Sequence, residues 1–151
     1  MVLVKPKRVS QVVAHNFVLH YSLQIREILE IIKNQPNYPF FKHSHYLKHK
    51  ERARDIVNLK IQKWNKFYNF SFNRIHIKRL RSRWGSCSSK GNLNFNYKII
   101  FLPEELVDYI IVHELCHLEQ MNHSKKFWDL VAKTIPDFLE RSRELKKVRN
   151  L

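Results

Sequence analysis

The sequence contains little glycine and little cysteine. Gly85 and Gly91 are its only glycines in 151 residues, so it lacks the glycine-rich loop with which many nucleotide-binding proteins cradle phosphate groups. Its two cysteines, Cys87 and Cys116, are too few for a disulfide-stapled secreted fold and favour a reducing compartment. The first eight residues also lack the pattern of a secretory signal, and we therefore expect a cytoplasmic protein.

Long apolar runs and acidic residues are also scarce. No stretch approaches the roughly 18 apolar residues that would span a membrane. The chain carries 28 Lys and Arg residues against 13 Asp and Glu, a formal net charge of +15. A chain of this length is expected to form one domain, residues 1–151, with a substantial hydrophobic core.

Hydrophobic spacing divides that domain into a helical N-terminal part, residues 1–70, and a mixed part, residues 71–151. A first helix is predicted from Ser10 to Lys33, and the segment 34–39, rich in Asn and Pro, ends it. A second, basic helix is predicted from about His45 to Phe70. Its spacing buries the apolar residues Ala53, Ile56, Val57, Trp64 and Phe67.

The mixed part contains both strand and helix patterns. Ile75 and Ile77 alternate with polar neighbours, which is typical of a strand. Segments 83–87 and 93–97 flank Ser88-Ser-Lys-Gly91, whose composition suits a hairpin turn. Three further helices are predicted, beginning near Pro103, Ser124 and Pro136. We therefore predict an α+β fold with a small, mostly antiparallel sheet.

The most informative stretch is residues 113–123, which read His-Glu-Leu-Cys-His-Leu-Glu-Gln-Met-Asn-His. His113 and His117 are four apart, so on a helix both rings can reach one ion. His123 can return from the following turn as a third imidazole. Three imidazoles that leave one position open are typical of a catalytic zinc site, whereas structural zinc sites use four protein ligands. We predict one zinc ion held by His113, His117 and His123.

A second pair of histidines at the same spacing serves as an internal control. His45 and His49 also stand four apart, with His43 nearby. Tyr46 occupies the position that corresponds to Glu114, and lysines surround the pair with positive charge that would oppose a dication: Lys42, Lys48 and Lys50. We interpret this group as a solvated basic face and not as a metal site.

Glu114 follows the first predicted ligand and is the candidate general base. Its helix is apolar on most sides, through residues such as Ile110, Ile111 and Leu115, so the carboxylate is expected to be buried, with no Lys or Arg within four positions. A buried carboxylate without a partner is costly, whereas a water molecule at a metal ion would supply one. Cys116 projects away from both histidines and is predicted to be a small packing residue.

Further motifs surround this stretch in a fixed order. They are Arg83-Trp-Gly-Ser-Cys87, Leu102-Pro-Glu104, Asp108-Tyr109, Asn122-His-Ser124 and Phe127-Trp128. Together with residues 113–117 they resemble the YgjP-like metallopeptidase family, which is related more distantly to the SprT-like proteases. The similarity covers about residues 70–140 and extends more loosely over the predicted helices before them. The spacing of the three histidines is also that of metzincins, but Gln120 stands where those enzymes turn at a glycine.

The resemblance implies a zincin-like fold, in which the zinc-binding helix packs under a small sheet. It implies a zinc-dependent peptidase with His113, His117 and His123 as metal ligands and Glu114 as the catalytic base. Glu114 is then expected to take a proton from the attacking water. An extended substrate is expected to add to an exposed sheet edge, for which the hairpin that carries Leu93–Tyr97 is the candidate.

Several residues near the motif have roles that the sequence leaves open. Arg83, Tyr97 and Tyr109 are all chemically able to stabilise an oxyanion, and each has a structural role as its simpler interpretation. The remaining aromatic residues are interpreted as packing residues: Trp84 in the core, and Phe127 and Trp128 against the zinc helix.

The basic residues lead to an alternative function of a different class. Arg79, Arg81 and Arg83 alternate in one strand region, and a second cluster on the last helix is expected to lie apart from the zinc helix: Arg141, Arg143, Lys146, Lys147 and Arg149. Such faces attract polyanions without reading sequence. The alternative is a nucleic-acid-associated protein, or a protease acting on nucleic-acid-bound proteins, with the metal site secondary. The predicted partners are therefore a peptide or protein substrate and, weakly, nucleic acid, but no membrane.

Overall fold

The computed structural model describes residues 43–149, and these form an α+β fold. In chain order the elements are α1 (His43–Tyr68), β1 (Ile75–Lys78), β2 (Gly85–Cys87), β3 (Leu93–Asn96), a 3₁₀ helix (Tyr97–Phe101), α2 (Glu104–Cys116), α3 (Lys125–Ala132) and α4 (Phe138–Arg149). The predicted helix Ser10–Lys33 and the predicted break at 34–39 lie outside the described residues. No helix within residues 43–149 is both long and apolar enough to cross a membrane.

α1 supplies one side of the core through a single apolar face. Residues at helical spacing on that face are buried or half-buried: Ala53, Ile56, Val57, Ile61 and Trp64. Phe67 is 59% exposed, contrary to the prediction from spacing. Tyr68 turns inward in its place and donates a hydrogen bond to the carbonyl of Leu130 (3.1 Å). This tertiary contact decides which aromatic ring is buried in the last turn of the helix.

The sheet has three strands in the order β1–β3–β2. β1 pairs with β3 in parallel, whereas β2 pairs with β3 in antiparallel fashion, with Gly85 opposite Phe95. The sheet is therefore evenly mixed and not mostly antiparallel. The composition of the turn is enough to predict the β2–β3 hairpin. The partner of β1 cannot be predicted in this way, because it depends on the path of segment 79–84 to the opposite edge of the sheet. Because Leu93–Asn96 is the central strand, the exposed edge of the predicted hairpin is β2.

The predicted hairpin turn is present between β2 and β3. The Gly91 N–H donates to the carbonyl of Ser88 (2.8 Å), and the Ser88 N–H donates to the carbonyl of Asn92 (3.0 Å). Gly91 has a φ angle of +70°, which lies in the left-handed region that glycine adopts at least cost. Backbone conformation therefore accounts for one of the two glycines.

α2 is the central helix of the fold. Ten of its 13 residues are buried. One side, through Val107 and Ile111, faces a core formed with α1 and the sheet, and the other side, through Val112 and Cys116, faces α3. Cys116 is fully buried, so its predicted packing role is confirmed. Because close packing on both sides restricts movement of the helix, residues at its C-terminal end are held in place accurately.

Candidate active site

The three predicted metal ligands converge at the C-terminal end of α2. His113 lies in the last turn of this helix, His117 directly follows it, and His123 lies in the connection to α3. The Nε2 atom of His113 is 3.2 Å from that of His117 and 3.0 Å from that of His123. Two nitrogen ligands of one tetrahedral zinc ion, each about 2.0–2.1 Å from the metal, lie about 3.3 Å apart. The rings are therefore spaced as ligands of a single ion require.

A backbone contact fixes the orientation of His117. Its Nδ1 atom lies 3.0 Å from the carbonyl oxygen of Gln120. Because a carbonyl can only accept, Nδ1 carries the proton and Nε2 presents its lone pair to the other two rings. Metal-ligating histidines are commonly oriented by a contact of this type. The turn after α2 therefore orients the ring of a predicted ligand as well as reversing the chain.

Aromatic packing holds the three imidazoles together. The ring of Phe127 contacts all of them, with centroid distances of 4.9 Å to His113, 4.5 Å to His117 and 4.8 Å to His123. Trp128 stacks on His123 at 5.4 Å. The predicted packing of Phe127 and Trp128 against the end of α2 is confirmed.

Burial keeps two of these rings in the neutral form. It lowers the pKa of His113 to about 3, and the neighbouring rings of His117 and His123 lower that pKa further. Burial also lowers the pKa of His117. Metal ions bind neutral imidazole, so neither ring has to lose a proton before it can act as a ligand at neutral pH.

The histidines of α1 do not assemble a comparable site. Among residues 43–149, only His113, His117 and His123 form a group of three potential ligands close enough to hold one ion. The rings of His45 and His49 lie 4.4 Å apart and pack on Phe101 of the 3₁₀ helix. The pair is half-buried, so its predicted solvation is only partly correct, because the 3₁₀ helix covers one side of both rings.

Glu114 is buried next to the triad, with 6% of its surface exposed. Burial raises the pKa of its carboxyl to about 8, against the opposing effect of the Arg83 guanidinium. Its Oε2 atom has no hydrogen-bond partner among residues 43–149. The other such buried side-chain atoms in the described part of the chain are His113 Nδ1 and Trp84 Nε1. The three residues line one cavity, and since buried polar groups are normally paired, their unpaired atoms indicate a site that receives a polar group.

Gly85 brings the edge strand β2 against Glu114. A Cβ atom at this position would lie 2.6 Å from Glu114 Oε1 and 2.7 Å from its Cγ. Only glycine allows a strand and a carboxylate to approach so closely. No role is predicted for Gly85 from the sequence, although an isolated glycine inside a strand pattern indicates a close backbone approach.

A cavity of about 200 Å³ joins β2, α2 and α4 at this point. Glu114 and His113 line it, together with two of the three oxyanion candidates, Arg83 and Tyr109. Tyr97 does not line it. That residue is fully buried in the core, where its hydroxyl lies 3.3 Å from His45 Nδ1. The structure therefore narrows the candidates for oxyanion stabilisation to Arg83 and Tyr109.

The basic cluster of α4 is not separate from α2, contrary to the prediction from the sequence. Lys146 lines the cavity that contains Glu114. Arg141 donates through Nη1 to the carbonyl of Glu105 in the first turn of α2 (2.9 Å). Lys147 forms an ion pair with Glu144 (2.6 Å). α4 therefore contributes to the wall of the site and to the anchoring of α2, because it packs along that helix.

The residues present fit a bound metal ion. Three imidazole nitrogens suit a transition metal such as zinc, whereas calcium and magnesium prefer oxygen ligands. The lone pair of His117 Nε2 points towards the other ligand atoms. The unpaired Glu114 carboxylate gives the site an acceptor that does not belong to the ligand set.

Comparisons with known proteins agree with this geometry. A family model described as YgjP-like, metallopeptidase domain matches residues 2–148. The crystal structure of the metallopeptidase zymogen of Pyrococcus abyssi abylysin is similar, with 26% sequence identity, a TM-score of 0.55, and coverage of 62% of this chain and 95% of that chain. The crystal structure of the metallopeptidase zymogen of Methanocaldococcus jannaschii jannalysin has 31% sequence identity and a TM-score of 0.48, with coverage of 65% of this chain and 95% of that chain.

No curated protein sequence matches the chain significantly. The family match nevertheless extends over almost all of the chain, including the residues before 70 over which the resemblance is looser. The α+β fold and its similarity to the abylysin metallopeptidase zymogen confirm the predicted fold class. The chain belongs to the YgjP-like metallopeptidase domain family.

Proposed function

We propose that this protein is a zinc-dependent metallopeptidase, with His113, His117 and His123 as zinc ligands and Glu114 as the general base. The observation that carries the proposal is the convergence of three Nε2 atoms beside a buried carboxylate with an unpaired oxygen. Membership of a metallopeptidase family supports the reaction class. The all-imidazole donor set, with no fourth ligand in the group among residues 43–149, supports a catalytic zinc.

The chemistry of the protein groups follows from their positions. A bound zinc ion would lower the pKa of water and polarise the scissile carbonyl. In its ionised form, which a bound cation would favour, Glu114 accepts a proton from the attacking water and passes it to the leaving nitrogen. Arg83 and Tyr109 line the same cavity and stabilise the negative charge that develops on the carbonyl oxygen.

The substrate is proposed to add to β2. The Asn96 N–H donates to the carbonyl of Trp84 (2.8 Å), and the Ser88 N–H donates to Asn92 (3.0 Å). Because bonding partners alternate along an antiparallel pair, Gly85 and Cys87 direct their backbone groups away from β3. These groups can bind the main chain of an extended peptide. A peptide at this edge would pass Glu114, which touches Gly85.

The proposal is tested by metal-loaded cleavage of mixed denatured proteins, with fragments identified by mass spectrometry. We expect new peptide termini with the zinc-loaded protein, loss of cleavage with a chelator, and recovery when zinc is added back. Glu114→Gln should bind zinc and leave the substrates intact. Zinc-loaded protein that cleaves none of the denatured substrates would contradict the proposed activity.

A further inference from the structure

The face of the sheet turned away from α2 carries a second cavity, of about 300 Å³. Leu93 and Phe95 point into the core, so Asn94 between them and its partner Ser86 lie on the opposite face. These two polar residues line the cavity, and the Asn94 side chain donates to Ser86 Oγ (3.3 Å). Four basic residues surround them: Lys78, Arg79, Arg81 and Arg83.

The residues that line this cavity include no carboxylate. No Asp or Glu occurs anywhere from Ile56 to Pro103. The ion pairs found among residues 43–149 do not involve Lys78, Arg81 or Arg83. A concave surface lined by charge of one sign concentrates counter-ions and charged ligands, so this one attracts anionic groups.

Asn96 holds the arginine-bearing segment 79–83 in position. This residue is 4% exposed, and its side-chain amide donates to the carbonyls of Leu80 (2.9 Å) and Arg83 (3.0 Å). The same side chain accepts from the backbone N–H of Lys98 (3.2 Å). The segment is therefore tied to the sheet at two points, which reduces the entropy lost when it binds a ligand.

The outer cavity and the active-site cavity lie on either side of the edge strand. Arg83 lines both of them. A peptide paired with Gly85 and Cys87 would project successive side chains to opposite faces of the sheet. One set would point towards α2 and Glu114, and the other towards Ser86 and the arginine-bearing segment.

We propose that the outer cavity is a substrate subsite that binds an Asp or Glu side chain of the peptide lying on β2. This inference rests on the proposed function. A peptide carboxylate fits better than a nucleic acid backbone, because the cavity adjoins a strand edge whose open groups pair with peptide amides. Guanidinium groups also bind carboxylates in bidentate geometry.

The test uses a cleavable peptide in which one Glu or Gln is moved through the positions that flank the scissile bond. We expect Glu to raise kcat/KM about tenfold over Gln at one position, as a charged hydrogen bond would, and to have little effect at the two adjacent positions. Arg81→Gln should remove that preference and leave the rate for the Gln peptide unchanged. Arg74→Gln is the matched control, since Arg74 is exposed, precedes β1 and does not line the cavity.

Binding provides a readout that is independent of turnover. The zinc-loaded Glu114→Gln protein should bind a fluorescent Glu peptide about tenfold more tightly than its Gln counterpart, and Arg81→Gln should abolish the difference. Equal binding and equal cleavage of the two peptides would overturn the subsite and leave the peptidase intact. Selective binding without cleavage would keep the subsite and reject the proposed activity. A single-stranded oligonucleotide that displaces the Glu peptide and loses more affinity in Arg81→Gln would assign the surface to nucleic acid and overturn the inference.

Discussion

Two buried carboxylates on α2, six residues apart, have opposite surroundings. Asp108 accepts a hydrogen bond from Trp64 Nε1 (2.9 Å) and pairs with Lys60 (2.8 Å) and Lys63 (3.4 Å). Glu114 is buried to the same degree, but its Oε2 has no partner. Pairing of buried charges is what stability requires. An unpaired buried carboxylate is what the proposed role of Glu114 as general base requires.

The two halves of the helix depend on each other. Lys60 contacts both Glu104 and Asp108, so the polar network fastens the N-terminal half of α2 to α1. Because the helix is rigid, this attachment also fixes the direction in which His113 and Glu114 project one and a half turns later. The stabilising ion pairs in the N-terminal half of α2 thus support the unpaired Glu114 in its C-terminal half, which stability alone would not favour.

The largest expected effect is that of Glu114→Gln, which removes the proton acceptor and keeps the shape. Hydrolysis should fall about 100- to 10,000-fold, the usual contribution of a general base, while zinc content and the free energy of unfolding stay near those of the wild type. Steady-state kinetics, metal analysis and urea unfolding measure the three quantities. Glu119→Gln, at an exposed position soon after the helix, should change none of them. A Glu114→Gln protein as active as the wild type would contradict the difference in role between Glu114 and Asp108.

Asp108→Asn should show the reverse pattern. Removing one partner from a buried ion pair costs about 3 kcal/mol of unfolding free energy, and the folded fraction should still bind zinc and cleave peptide. Urea unfolding compared with activity per folded molecule separates the two effects. Asp129→Asn is the control, because its ion pair with Lys125 is exposed on both sides and should contribute less than about 1 kcal/mol. Equal destabilisation by the two substitutions would contradict the structural role of Asp108.

Gly85→Ala should have a smaller effect, which is confined to the half of α2 that carries His113 and Glu114. The new Cβ would meet Glu114 Oε1 at 2.6 Å, and displacement of a catalytic group by about 1 Å lowers the rate of hydrolysis by up to about 100-fold. Zinc content should not change. Gly91→Ala provides the comparison, since its positive φ angle costs about 1–2 kcal/mol in stability without touching the site. If Gly85→Ala cleaves as fast as the wild type, close approach of β2 to Glu114 is not required.

Local spacing was enough to predict which residues come together at the end of α2, but not what surrounds them. The ligand triad and Glu114 follow from a helical repeat and a short turn, both of which act within about three helical turns of sequence. The helices of the described region follow from apolar periodicity in the same way. These features depend on contacts between residues that are near in sequence, which is why they can be read without a structure.

The missed features all depend on contacts between distant segments. The parallel pairing of β1 with β3 is set by the crossing segment 79–84, and the burial of Tyr68 in place of Phe67 is set by α3. The approach of Gly85 to Glu114 joins positions 29 residues apart. Lys146 reaches the cavity only because α4 packs along α2. Tertiary packing decides such contacts, and a hydrophobic pattern does not specify them.

Zinc retention in matched pairs of histidine substitutions tests the assignment of the metal site most directly. After exhaustive dialysis against chelator-free buffer, wild-type protein should retain about one zinc per chain. His113→Ala with His117→Ala should retain almost none, whereas His45→Ala with His49→Ala, which removes the same residues at the same spacing from α1, should retain as much as the wild type. Full zinc retention in the first double variant, or its loss only in the second, would contradict the assignment of the metal site.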